Sequence, residues 1–134
     1  MEGQADADAL GEKRRETKVM NFKNKVLEAA QDLWGLEPQM LMVGEESTEL
    51  AHAVFKWRRA YRKYWSCPDD ADELERKAIS RALVKATDHV RDEAMDVLLM
   101  IDQLKMMQPA DYDTLYEEKL QACAQKLRNA GVQI

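Results

Sequence analysis

Two long stretches of this chain carry apolar residues at helical spacing, and acidic residues interrupt both stripes. Residues three or four apart share one face of an α-helix. On that spacing Glu46 shares its face with Met42, Val43, Leu50, Ala53, Val54, Trp57 and Tyr61. Glu93 likewise falls among Leu83, Ala86, Val90, Val97, Met100, Ile101 and Leu104. Because a core-facing stripe normally excludes charge, the pattern predicts amphipathic helices whose inward acids need a compensating cation.

Composition and breaker residues predict an all-α fold. The chain has 134 residues, of which 46% are apolar, 5 are glycine and 3 are proline, which suits one helical domain. We predict a flexible tail or a frayed helix start over residues 1–18 and a helical domain over residues 19–130. The predicted helices run from about Glu16 to Trp34, from Pro38 to about Trp65, from Asp70 to Gln108 and from Asp111 to Asn129. Gly35 and Pro109 are predicted stops, and a kink or a short loop is predicted near Lys85–Asp88.

Charge and composition also limit the classes of partner that we expect for this chain. The net charge of −5 argues against a protein that binds nucleic acid polymers, because phosphate backbones require a basic face. The two cysteines suggest neither a disulfide framework nor a metal-ligand spacing. No apolar run approaches the roughly 18 residues of a membrane span, and the N-terminus lacks the pattern of a secretory signal. We therefore expect a cytoplasmic protein without a membrane partner.

The acids in the stripes predict a magnesium site. Mg²⁺ prefers carboxylate oxygens and takes substrate phosphates as further ligands. A structural alternative is that the acids lie at the edge of the stripe and pair with lysine or arginine. Glu49 and His52 also form the Glu-x-x-His element of di-iron helix bundles. Such sites need a second element of this kind, and the second stripe has Asp96 where the histidine would stand.

Cationic, amide and aromatic residues flank the acids. Lys56 follows Glu49 by one heptad, and with Arg59 it either binds phosphates or complements the helix dipole. Gln39 precedes Glu46 by one heptad and carries the donor and acceptor needed to read a base edge. Some aromatic residues either fill the core or stack on a base. They are Trp34, Trp57, Tyr61, Tyr64 and Trp65.

At these residues the chain resembles the MazG-like, all-α nucleoside triphosphate pyrophosphohydrolases. Their Glu-Glu-x-x-Glu signature stands here at 45–49, and their Glu-x-x-Asp signature at 93–96. The resemblance covers about Trp34–Arg59 and Val90–Met107. It implies a four-helix-bundle-like fold completed as a homodimer or homotetramer, and hydrolysis of a nucleoside triphosphate to monophosphate and pyrophosphate.

The resemblance also implies roles for single residues. Glu46, Glu49, Glu93 and Asp96 are the implied ligands of Mg²⁺, for which Mn²⁺ is a possible substitute. Glu45 is implied to orient a water as general base or to support the ligands. Lys56 and Arg59 are implied to contact phosphates.

Two other functions stay open at this point. The run Val43–Glu46 is also similar to phosphoribosyl-ATP pyrophosphohydrolases. A helical oligomer that binds nucleotide without hydrolysis is the second alternative. The two acidic motifs are separated by residues 50–92, longer than expected for small members of the family, so the preferred base and sugar are not predicted.

Overall fold

The computed structural model describes the backbone of residues 2–108 and 110–134, and side chains from residue 13 onward within those ranges. This part of the chain contains four α-helices and no strand, which confirms the all-α class. The helices are α1 (Glu2–Trp34), α2 (Leu36–Trp65), α3 (Glu73–Met107) and α4 (Tyr112–Asn129).

The break between α1 and α2 lies at Gly35, the predicted stop, but α2 begins at Leu36 and not at the predicted Pro38. Gly35 adopts φ 76°, a left-handed conformation that side chains disfavour, and its N–H donates to the Gln31 carbonyl at 2.9 Å. Pro38 lies in the first turn of α2, where its missing N–H costs no intrahelical hydrogen bond. The predicted end of α2 at Trp65 is confirmed.

Side-chain caps start the last two helices. The Asp72 carboxylate accepts a 2.8 Å hydrogen bond from the Glu75 N–H at the start of α3. The Asp111 carboxylate accepts bonds from the Thr114 N–H at 2.9 Å and the Thr114 hydroxyl at 2.6 Å at the start of α4. The chain then leaves α4 through Gly131, whose φ is 88°.

The structure corrects the predicted interior of α3. No loop interrupts the helix at Lys85–Asp88, since α3 is continuous from Glu73 to Met107. The Thr87 hydroxyl bonds to the Leu83 carbonyl at 2.8 Å within the same helix, so this polar group is satisfied without a loop. The predicted stop, Pro109, lies outside the described residues.

The structure also moves the start of the first helix. It begins at Glu2 and not near Glu16. The prediction rested on the scarcity of large apolar side chains, whereas alanine, glutamate, lysine and arginine favour helix without any core contact. All side chains of residues 13–22 are exposed, so this part of α1 is helical without support from the rest of the chain. The division into a tail over 1–18 and a domain over 19–130 stays a prediction.

An antiparallel pair of helices, α2 and α3, makes up most of the tertiary structure. The second half of α1 lies against both, through the buried side chains Leu27 and Ala30 and an ion pair of 2.5 Å between Lys23 and Asp102. The α4 helix has no buried residue. The acids of the two predicted stripes therefore face one another across the α2–α3 seam.

The single chain leaves much apolar surface open. Its accessible surface is 11,234 Å², whereas a compact monomer of 15.5 kDa has about 7,200 Å² by the usual scaling with mass. The buried apolar residues among those described are Leu27, Ala30, Ala53 and Ile79. The chain by itself does not cover its own helices.

Candidate metal centre

Three of the predicted acids converge at the middle of the α2–α3 seam. Glu46 and Glu49 come from α2, and Glu93 comes from α3. Each offers a carboxylate oxygen within 4.8 Å of an oxygen of both others. Glu46 and Glu93 are half-buried, and Glu49 is exposed. We refer to Glu46, Glu49 and Glu93 as the acidic cluster.

The cluster is electrostatically unfavourable without a cation. Burial raises the pKa of the Glu46 carboxyl above its ordinary value, and the negative charges of Asp96, Glu49, Glu93 and Glu45 raise it further. Two carboxylates about 4 Å apart repel by roughly 1–4 kcal/mol at the dielectric of a partly exposed site. A divalent cation at this point would reverse the sign of that interaction.

The other two predicted acids lie beside the cluster. Asp96 is exposed and does not belong to the mutually close group, although its charge acts on Glu46 more strongly than that of any other acid. Glu45 is also exposed and contributes the weakest of these charges. The predicted roles of Asp96 as a ligand and Glu45 as a base are compatible with these positions and stay predictions.

The structure gives no support to the ion-pair alternative for the cluster acids. Within the described residues, no lysine or arginine nitrogen lies within 4.0 Å of Glu46, Glu49 or Glu93. The near partner of Glu93 is His89, whose Nδ1 lies 3.3 Å from the carboxylate. The Glu93 side chain is only 12% exposed, so an imidazole nitrogen lies beside a largely buried acid. His52, the histidine of the di-iron alternative, is exposed.

A cavity with basic side chains adjoins the cluster on one side. It measures about 610 Å³ and lies between α2 and α3. Lys56 lines it, together with Lys85 and His89. Its acids are Asp88, which pairs with Arg91 at 3.1 Å, and Asp92. We call this space the basic cavity. Arg59 is exposed and is not among its lining residues.

An apolar pocket adjoins the cluster on the other side. It measures about 770 Å³ and lies where α1, α2 and α3 meet. Gln39 and Gln103 line it and are only 3% and 5% exposed. The Oε1 atom of each is buried and finds no hydrogen-bond partner within the described part of the chain. An unpaired buried oxygen of this kind costs about 1–3 kcal/mol. We call this space the amide pocket.

Lys85 and Gln103, which line the two spaces beside the cluster, were not predicted from the sequence. Both follow from the helical spacing of α3, because Lys85, His89, Glu93 and Asp96 succeed one another at steps of three or four residues. Gln103 continues the same face one heptad after Asp96. This spacing is visible in the sequence. It places the five residues on one face only if α3 is one unbroken helix.

The aromatic residues do not form a core within the single chain. Trp57 is half-buried and stacks on Tyr61 with ring centroids 4.9 Å apart. Trp65 meets Tyr61 edge-on at 6.1 Å but is 70% exposed. Trp34 is also exposed and lines the amide pocket. Trp34 and Trp65 are therefore not core residues within one chain, and their burial in an oligomer and their stacking on a base both stay predictions.

Comparisons with known proteins do not extend these observations. No protein-family model, no curated protein and no solved structure matches the chain. Among the helices that the structure describes, none has both the length and the apolar character needed to cross a bilayer.

Proposed function

We propose that this protein is a Mg²⁺-dependent nucleoside triphosphate pyrophosphohydrolase with a MazG-type four-helix fold. The observation that carries the proposal is the convergence of Glu46, Glu49 and Glu93 from two antiparallel helices. Motifs far apart in sequence thus supply one cluster of oxygen donors, without a lysine or arginine partner among the described residues. That arrangement suits a hard divalent cation.

The donor set fits Mg²⁺ better than a softer metal. Carboxylate oxygens are the ligands that Mg²⁺ prefers, with waters and substrate phosphates completing its octahedron. We assign Glu46, Glu49 and Glu93 as ligands, with Asp96 as a fourth from the edge of the cluster. When bound, Mg²⁺ would polarise phosphoryl oxygens and offset their developing charge. Mn²⁺, which favours similar ligands, is the expected substitute.

Residues around the acidic cluster then have separate roles in hydrolysis. Glu45, one helical turn before Glu49, orients a water and accepts its proton. The water oxygen forms a bond to the α-phosphorus, the bond from that phosphorus to the bridging oxygen breaks, and pyrophosphate leaves. Lys56 binds phosphate oxygens from the basic cavity. Arg59 is retained as a second phosphate contact, as the resemblance implies, and Gln39 contacts the base from the amide pocket.

We also propose that a second copy of the chain covers the open helices. The accessible surface exceeds that expected for a compact monomer by about 4,000 Å², more than standard protein–protein interfaces bury. A homodimer or homotetramer would cover part of this excess, including exposed apolar side chains such as Leu33, Leu41 and Leu98. Light scattering coupled to size exclusion should show a mass of two or four chains, and a monomer at micromolar concentration would contradict the assembly.

Product analysis tests the function directly. The purified protein is incubated with the common ribonucleoside and deoxynucleoside triphosphates and with phosphoribosyl-ATP, with Mg²⁺ or with a chelator. Monophosphate plus pyrophosphate, formed only with Mg²⁺, is the expected result. Binding without turnover, measured by calorimetry, would instead indicate a nucleotide-binding oligomer. Turnover of phosphoribosyl-ATP alone would indicate the other pyrophosphohydrolase branch.

A further inference from the structure

The amide pocket, the acidic cluster and the basic cavity follow one another along the α2–α3 seam. On α3 their residues are Gln103, then Glu93, then Lys85, in order toward the helix start. On α2 the order is Gln39, then the cluster acids, then Lys56, in order toward the helix end. Because the helices are antiparallel, both lists run in the same direction.

Shared residues show that the three regions adjoin. Glu45 lines the amide pocket, and its charge acts on Glu46 of the cluster. His89 lines the basic cavity and contacts Glu93 of the cluster. With a rise of 1.5 Å per residue, Gln103 lies about 15 Å and Lys85 about 12 Å along α3 from Glu93. These spans suit an elongated ligand whose middle lies at the cluster.

The two ends of this groove offer opposite chemistry. The amide pocket has apolar walls, the exposed Trp34 ring and two buried amides, which suit a flat heterocycle with a polar edge. The basic cavity offers the ammonium groups of Lys56 and Lys85, and neither forms an ion pair with the described residues. The cavity also contains Asp88, which pairs with Arg91, and Asp92, which has no lysine or arginine partner among the described residues.

We propose that a nucleoside triphosphate lies along this groove with its base in the amide pocket and its β- and γ-phosphates in the basic cavity. This inference rests on the proposed function and specifies the orientation of the bound nucleotide. The α-phosphate then lies at the acidic cluster, and pyrophosphate departs toward Lys56 and Lys85. Lys85 becomes a pyrophosphate-binding residue, and Gln103 becomes a base-binding residue beside Gln39.

Two variants probe the two ends separately. Lys85→Gln should weaken binding of inorganic pyrophosphate with Mg²⁺ about tenfold, equivalent to about 1.4 kcal/mol, and should leave nucleoside monophosphate binding unchanged. Gln103→Leu should change the ranking of the four bases and leave pyrophosphate binding unchanged. The matched controls are Lys105→Gln on the same helix, outside the basic cavity, and Gln121→Leu on α4. Both controls should behave as wild type in calorimetry.

The outcomes separate the orientation from the function. Unchanged pyrophosphate binding in Lys85→Gln, or altered pyrophosphate binding in Gln103→Leu, would overturn the orientation even in an active enzyme. Nucleotide binding with the expected variant effects but without hydrolysis would refute only the proposed function. A wild-type protein that binds neither pyrophosphate nor nucleotides would refute both. If Gln103→Leu lowers helicity in circular dichroism, Gln39→Leu, at the same pocket, takes its place.

Discussion

The acids of the α2–α3 seam and the acids at the helix starts have the same side-chain chemistry and opposite surroundings. Glu46 lies among other carboxylates, which together with burial raise its pKa. Asp111 caps α4, and hydrogen bonds from the Thr114 hydroxyl and N–H lower its pKa. A capping carboxylate is already satisfied by the backbone. Glu46 has no lysine or arginine within 4.0 Å among the described residues, which is why we propose a cation at the seam rather than at the caps.

The largest expected effect is the loss of activity when one carboxylate at or beside the acidic cluster loses its charge. Glu46→Gln and Asp96→Asn should each lower pyrophosphohydrolase activity by at least about 100-fold, because metal stabilisation of phosphoryl charge is worth several kcal/mol. Steady-state kinetics with Mg²⁺ measures this effect. Glu118→Gln on the exposed face of α4 is the matched control and should retain full activity. Full activity in both Glu46→Gln and Asp96→Asn would refute the site assignment.

Glu46→Gln, which should lower activity, should raise the stability of the metal-free protein. Glu46→Gln should stabilise the metal-free protein by on the order of 1 kcal/mol, because one repelling charge is removed. Thermal unfolding with and without Mg²⁺ measures it. Wild type should gain stability from Mg²⁺, whereas the variant should gain much less. A variant less stable than wild type in chelator would show that the cluster is satisfied without a cation.

A variant at a helix cap should lose stability and keep the activity of the folded protein. Asp72→Ala removes the acceptor for the Glu75 N–H and should destabilise the protein by about 1 kcal/mol. Asp72→Asn keeps an acceptor and serves as the control. Denaturant unfolding measures both variants, and per-molecule activity of the folded Asp72→Ala protein should equal that of wild type. An Asp72→Ala protein as stable as wild type would show that this cap contributes nothing.

The smallest expected effects are pH dependences of opposite sign. Because the folded pKa of Glu46 is raised, its contribution favours folding at low pH, and that contribution is lost as pH rises from the unfolded pKa through the folded pKa. The folded pKa of Asp111 is lowered, so its contribution is present above the unfolded pKa and is lost as pH falls through the folded pKa. Unfolding at low salt between pH 3 and about 7, without metal, compares Glu46→Gln and Asp111→Asn with wild type.

The differences in unfolding free energy between each variant and wild type should have opposite signs. The stabilising effect of Glu46→Gln should grow with rising pH, and the destabilising effect of Asp111→Asn should also grow with rising pH. Differences that do not vary with pH would show that neither carboxyl is perturbed in the folded protein.

Much of the helix order was predictable because helix starts and stops are local. Gly35 ends α1 by a backbone conformation that glycine favours, and Asp72 starts α3 by one hydrogen bond. The start of α1 at Glu2 was missed because apolar content predicts packing, not helix propensity. The continuity of α3 through Lys85–Asp88 was missed because length alone was used to expect a kink or a short loop.

The sequence by itself determined that acids interrupt two helical stripes, since helical periodicity depends on bonds between residues four apart. Only the tertiary structure decided which acids meet. The mutual distances of Glu46, Glu49 and Glu93, and the looser position of Asp96, depend on the axial offset of two helices joined by residues 66–72. The same offset buries the Gln39 and Gln103 amides at one pocket. Local periodicity cannot specify that offset, because it is set by packing between residues distant along the chain.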